Sequence, residues 1–286
     1  MEKITIEPVT RIEGHAKVTI HLDDQGNVDR AYLHVNEWRG FEKFTEGRPF
    51  FEMPQITPRI CGICPVSHHL TSAMACDQII GAVPPRPAQL LRELMHMGQF
   101  IQSHSMHFFE LAGPDLFLGF DADPAVRNVV GLIEANPDLA LKAVRLRAFG
   151  QDIIKRISGR RIHPNHSIPG GVNAPLSESD REDLLGHIDE ATEVVRMAVQ
   201  LARGWFEENK ELVEKFAVFP SGYLAMVDEE GALQLFSGKL RLIDQSGKPQ
   251  EEFTHFKSLN GGQPVEGSLW YHYARMIEAL YAIERA

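Results

Sequence analysis

The sequence predicts an α+β protein that is predominantly helical, with a small N-terminal antiparallel sheet and a later β-meander. Three observations carry this expectation. Apolar and polar residues alternate over residues 3 to 36, apolar residues recur at spacings of three and four through the middle of the chain, and alternation returns after residue 216. We expect four regions: 1–84 with the sheet and a cysteine motif, 85–215 as a helical body, 216–260 as the meander, and 261–286 as a terminal helix that stops in mid-pattern.

Taken in order, Ile4 and Ile6 form the first alternating run, Ala16, Val18, Ile20 and Leu22 the second, and Ala31, Leu33 and Val35 the third. Residues 23–27, Asp-Asp-Gln-Gly-Asn, read as the turn between the last two. From residue 85 the period changes: Leu90, Leu94, Met97, Ile101, His104, Phe108 and Leu111 make one helical stripe between Pro84-Pro85 and Gly113-Pro114. Asp123-Pro124 and Asn136-Pro137 each set a capping residue before a proline, which predicts helices near 124–134 and 137–157, the second closed by Ser158-Gly159. Ser179 with Glu182 has capping-box spacing and predicts a helix running to about Val213.

Asp228–Gly231 and Ser246-Gly-Lys read as tight turns between runs such as Leu233, Leu235 and Leu240, Leu242, giving three strands over 216–257. Gly261-Gly-Gln-Pro reads as a loop. Ser268 is the expected cap of a last amphipathic run containing Trp270, Tyr273, Ile277 and Leu280.

The 286 residues are 43% hydrophobic, enough for a sizeable core, and their net charge of −10 disfavours nucleic acid or an anionic membrane as the main partner. There is no basic start followed by an apolar run, and no stretch approaches the ~18 apolar residues of a membrane span. Three cysteines, Cys61, Cys64 and Cys76, are too few for a disulfide framework. A reducing, cytoplasmic setting with metal or redox chemistry is therefore expected.

Chemistry concentrates in Pro58-Arg-Ile-Cys61-Gly-Ile-Cys64-Pro-Val-Ser-His68-His69, where two soft ligands stand beside a cation and two imidazoles. Two thiolates at that spacing can grip one soft or borderline metal. A zinc knuckle, a thioredoxin-like dithiol and a pair of buried structural thiols are alternative readings of the same residues. Only His68 or His69 could add ligands for zinc, and the dithiol lacks a βαβ context. Cys76 fits a small buried hydrophobe.

Glu13 in Thr10-Arg-Ile-Glu-Gly-His15 and Glu42 in Arg39-Gly-Phe-Glu42 neighbour arginines, so a surface ion pair is the plain reading of each. The glycines beside them point instead to a bent or closely packed backbone. His163 through Gly171 is a Gly/Pro-rich loop of the sort that carries function. His104, within the apolar stripe, reads as a satisfied core or interface residue, and Met95, Phe100, Met106 and Phe109 outside that stripe point to burial against a second subunit.

Together, Thr10–His15, Arg39–Glu42, Arg59–Cys64 with Ser67–His69, and His163–Gly171 resemble the large subunits of nickel-iron hydrogenases in order and spacing. The surrounding wording is most similar to the cytoplasmic bidirectional, NAD(P)-linked branch, with the methyl-viologen-reducing branch next. The resemblance implies that fold, reversible oxidation of H2 at a nickel-iron centre bearing CO and CN ligands, and a structural magnesium. It also implies electron transfer to an iron-sulfur small subunit, since three cysteines cannot hold a cubane cluster here, and onward to diaphorase subunits. Carried over, Cys61 is a terminal nickel ligand, Cys64 a bridging one, and Glu13 a proton relay expected to be partly buried. Glu42 is a magnesium ligand and His68 a partner of the bridging sulfur, while His69, Arg59 and His163 carry less defined roles. The family's second C-x-x-C does not occur in these residues, so a shortened chain or a noncatalytic relative stays open, and the chain alone is expected to be inactive.

Overall fold

In the computed structural model, which describes residues 2–250 and 267–286, the β-alternating start folds into an antiparallel sheet. Strands β1 (Lys3–Ile6), β2 (Ala16–Leu22) and β3 (Val28–Val35) lie in that order. The register pairs Ile4 with Ile20, Ile6 with Val18 and Val18 with Leu33, so the apolar residues share one face. Two short helices, α1 (Phe41–Thr45) and α2 (Met53–Ile56), lead to α3 (Pro65–Ile80) and then α4 (Arg86–Met106).

The apolar stripe that predicts one helix from 85 to Gly113-Pro114 does not stop there. It passes through a π-turn, His107–Ala112, into α5 (Gly113–Leu118). Pro114 has no N–H for the fourth preceding carbonyl and its ring would clash with it, so the helix widens to step past the proline.

Next come α6 (Val129–Ala135) and α7 (Pro137–Ser158). The predicted start at Asp123-Pro124 is replaced by a turn. The Asp123 side chain accepts from Ala125 N at 2.9 Å, while the true cap is Asn128, whose Oδ1 accepts from Val130 N and Gly131 N. A hairpin of β4 (Ser167–Ile168) and β5 (Gly171–Val172) stands within the Gly/Pro-rich loop.

Helix α8 (Glu178–Glu208) is capped by Ser177 rather than Ser179: Ser177 Oγ accepts from Asp180 N at 3.1 Å and donates to Asp180 Oδ2 at 2.6 Å. It ends at Asn209, short of Val213, because Asn209 Nδ2 donates to Trp205 O and competes with the helical backbone; α9 (Lys210–Lys215) resumes beyond.

Strands β6 (Tyr223–Val227), β7 (Lys239–Ile243) and β8 (Pro249–Gln250) form the antiparallel meander. Leu233 and Leu235 lie outside its strands, Leu233 in a single bridge to Val227 and Leu235 in the core. The expected strand residues 251–257 and the Gly261-Gly-Gln-Pro loop lie outside the described residues. Ser268 does not cap α10 (Trp270–Arg285); its hydroxyl donates to Ala217 O at 2.8 Å and ties the helix start to the meander's entry.

The core sits where α4 packs on α7 and α10, and α8 closes against both. Gly98 and Gly150 face each other at the α4–α7 crossing: a Cβ on Gly150 would stand 2.6 Å from Gln102 N and 2.7 Å from Gly98 O. The chain's own helices therefore bury Met95, Met106 and Phe109 and half-bury Phe100, so these residues do not mark a subunit interface. Among the described residues, no helix is long and apolar enough to cross a membrane.

Candidate metal centre

The cysteine motif bridges a 3-10 turn (Thr57–Ile60) and the first turn of α3. Cys61 is extended, Cys64 occupies the position before the helix, and Pro65 opens it with a preset φ. The two sulfurs lie 2.7 Å apart, both thiols free and half-buried, and Cys64 N donates to Cys61 Sγ at 3.1 Å. His68 stands one helical turn on, with its ligating nitrogen and both sulfurs all within 4.8 Å of one another. Burial first, then the neighbouring Cys61, pushes the Cys64 thiol up to about 12, and burial lowers the His68 imidazole. A bound cation would reverse the penalty on the thiolates. Two sulfurs suit a soft or borderline metal such as nickel, while a closed four-ligand zinc site would need His68 and one donor more.

Glu13 joins the cluster from the β1–β2 connection, its Oε1 3.6 Å from Cys61 Sγ. Gly14 at φ 82° turns the chain there, and Arg11, also at positive φ, pairs with Asp115 Oδ2 at 2.7 Å instead of with Glu13. The ion-pair reading of Glu13 thus gives way to a contact with the thiol. Its carboxylate is exposed, however, where a partly buried one was expected. Glu42 follows Gly40 (φ 116°) in the first turn of α1 and is also exposed. Among the described residues the cysteine pair with His68 is the one group of three ligating side chains close enough to hold a metal, and Glu42 lies outside it.

The residues that hold this loop in place are mostly ones that sequence patterning missed. His69 is fully buried: Nδ1 donates to Pro54 O at 2.6 Å while Nε2 accepts from His166 N and Ser167 N at 3.2 and 2.8 Å. Those partners require the neutral ring, and burial lowers its pKa accordingly. Arg92 and Asp77 form a buried pair at 2.6 Å. Arg92 also donates to Ile168 O and Gly171 O, and Asp77 accepts from Gly170 N, so both grip the hairpin loop.

Gln99 and Gln102 both donate to Ile63 O inside the cysteine motif, at 2.8 and 2.9 Å. His163, at φ 54°, bonds Pro58 O through Nδ1 at 2.9 Å, tying the same loop to the turn before Cys61. The signal for Arg92, Gln99 and Gln102 was polar residues on a helix that leaves no residue exposed from Leu91 onward. Arg59 is exposed. His104 meets Glu278 Oε2 on α10 at 2.8 Å, a satisfied core histidine, and buried Cys76 contacts Phe50 O.

Two family profiles match in tandem: HoxL-like over residues 3–38, and Nickel-dependent hydrogenase over residues 39–125. The vhu F420-non-reducing hydrogenase of Methanocaldococcus jannaschii has a subunit that is 45% identical over 91% of this chain and 62% of its own length. The beta subunit of the NAD-reducing hydrogenase HoxS of Cupriavidus necator is 41% identical over 90% of this chain and 55% of its own. An NAD+-reducing [NiFe]-hydrogenase solved in the H2-reduced state superposes with a TM-score of 0.93 at 35% identity, covering 99% of this chain and 76% of that one. The chain thus spans 55–62% of the length of these two curated relatives.

Proposed function

The chain belongs to the nickel-dependent hydrogenase family, and we propose that it is the part of a large subunit that contributes two of the four thiolates of a nickel-iron centre for reversible H2 oxidation. The observation that carries this reading is the convergence, from separate parts of the fold, of two sulfurs 2.7 Å apart, His68 one turn away and Glu13 at 3.6 Å. When bound, the centre, with CO and CN on iron, supplies the metal pair at which dihydrogen is split heterolytically.

The chain's own residues hold and move the proton. Cys61 would hold nickel and take up the proton at Sγ, and Glu13 Oε1, 3.6 Å away, would be the next acceptor, with solvent on its far side. Cys64 would be the second sulfur holding the centre, and His68, within 4.8 Å of it, would steady its charge by a hydrogen bond when the centre is bound. Glu42 would offer a hard oxygen to a structural magnesium, which would need further ligands beyond it.

Electrons leave through an iron-sulfur small subunit. In the main reading they then pass to diaphorase subunits that reduce NAD(P) in the cytoplasm. The 45% identity to a protein of an F420-non-reducing hydrogenase favours a second reading, in which a viologen-type acceptor replaces NAD(P). Hydrogen-dependent dye reduction should appear when this chain is assembled with a polypeptide supplying a second cysteine pair, and disappear in Cys61→Ser or Cys64→Ser. Unaltered turnover in either variant would dismiss the proposal.

A further inference from the structure

We infer that Gln99 and Gln102 are positioning residues that aim the Cys64 N–H at the Cys61 sulfur and so tune that sulfur as a ligand. The inference rests on reading Cys61 and Cys64 as metal ligands. Ile63 C=O and Cys64 N–H belong to one peptide unit, and the bond is trans, Glu7-Pro8 being the cis bond among the described residues. In a planar trans unit the carbonyl and the N–H point in opposite directions, so fixing one fixes the other.

The carbonyl end is fixed twice. Gln99 Nε2 and Gln102 Nε2 donate to Ile63 O at 2.8 and 2.9 Å, filling both acceptor sites of the oxygen. Both glutamines are buried, 4% and 5% exposed, so water does not compete freely for the carbonyl. They stand three apart on α4 and hence on one face. At the other end, Cys64 N lies 3.1 Å from Cys61 Sγ.

That N–H is free for this duty because Cys64 precedes α3 and its amide is one of the unpaired donors of a helix start. A donor on sulfur draws charge from it and lowers its donor orbital, and such supporting hydrogen bonds tune a metal as well as orient its ligand. Helix α4 is seated by the Gly98–Gly150 crossing, so the core sets the height from which both amides reach the loop.

Gln99→Met and Gln102→Met remove one donor each at nearly constant volume, and the double variant leaves Ile63 O bare. Amide exchange at Cys64 in the metal-free chain reads the geometry, and titration with cobalt(II) reads the sulfur through its sulfur-to-metal charge-transfer band and affinity. The double variant should lose Cys64 amide protection about tenfold and bind cobalt about tenfold more weakly, each single variant changing about threefold. The charge-transfer band should move to lower energy, a shift that mere loosening of the core would not produce.

Wild-type protection and an unmoved band in the double variant would overturn the inference. Should the double variant not fold, the singles decide: unchanged protection and band in both overturn it equally. A parent chain that gives no charge-transfer band with cobalt would sink the metal reading instead, while exchange at Cys64 still decides whether the glutamines hold the peptide.

Discussion

Glu13 reaches Cys61 Sγ from a glycine-bent connection between two strands, with its neighbour Arg11 occupied by Asp115. Glu13→Gln keeps the shape and removes the titrating oxygen. In an assembled enzyme it should cut proton-dependent turnover on the order of 10²–10⁴-fold with nickel content intact. Loss of nickel in that variant would assign Glu13 a structural task. At Arg92 the expectation concerns stability, because the charge is buried against Asp77 and holds two loop carbonyls as well. Arg92→Leu should cost about 3–5 kcal/mol in urea unfolding, mostly from leaving Asp77 buried without its partner. The cysteines, Glu13 and His68 were legible in the sequence because their spacing is local or their neighbours distinctive. Arg92, Gln99, Gln102 and the structural use of His69 were not, since each bonds a backbone atom distant in sequence, and no residue pattern marks a carbonyl as a partner.

Among the elements, α4 does the most positioning. It carries the two amides to the cysteine loop and the guanidinium to the hairpin loop, and it meets α7 backbone to backbone at Gly98 and Gly150. Gly150→Ala would push a methyl against Gln102 N, so it should destabilise by about 1–3 kcal/mol in chemical denaturation. Unchanged stability would mean that the crossing is looser than its geometry. The apolar periods announced α4, α8 and α10, because a buried stripe leaves a 3.6-residue trace, and α7 was read from its caps, whereas the 16-residue α3 behind the cysteine motif was not expected as a helix. Their ends were harder to read. Asp123-Pro124 and Asn136-Pro137 look alike as capping pairs, yet Asp123 closes a turn on Ala125 while Asn136 accepts from Leu139 N and starts α7. After the Asp123 turn the cap falls instead to Asn128, whose Oδ1 accepts from Val130 N and Gly131 N and starts α6.

Over the whole molecule, buried and half-buried histidines that stay neutral couple the fold to pH. Burial lowers His96 to about 4, His107 to about 3 and His272 to about 4, and lowers His69 and His166 as well. Unfolding lets these rings take up protons, so the stability they confer is complete above about pH 6.5 and is lost as pH falls towards the folded values. His96 alone sets a slope of about 1.4 kcal/mol per pH unit between about pH 6 and 4, which urea titrations across that range would show. A flat profile would mean that these rings are solvated in the folded state. The sheet leaves Leu33 and Val35 67% and 68% exposed on its apolar face, a surface that sequence alternation alone would have placed on a core. The 286 residues hold Cys61, Cys64 and the buried Cys76, so on their own they should show no hydrogen-dependent dye reduction.

Everything proposed for this chain depends on Cys61 and Cys64 being its nickel-binding thiolates, and X-ray absorption at the nickel edge of the nickel-loaded chain reads those ligands without recourse to turnover. Two sulfur neighbours are expected at nickel, both lost together in Cys61→Ala/Cys64→Ala. Nickel that keeps its sulfur neighbours in that double variant, or binds the parent chain through nitrogen and oxygen alone, would refute the assignment.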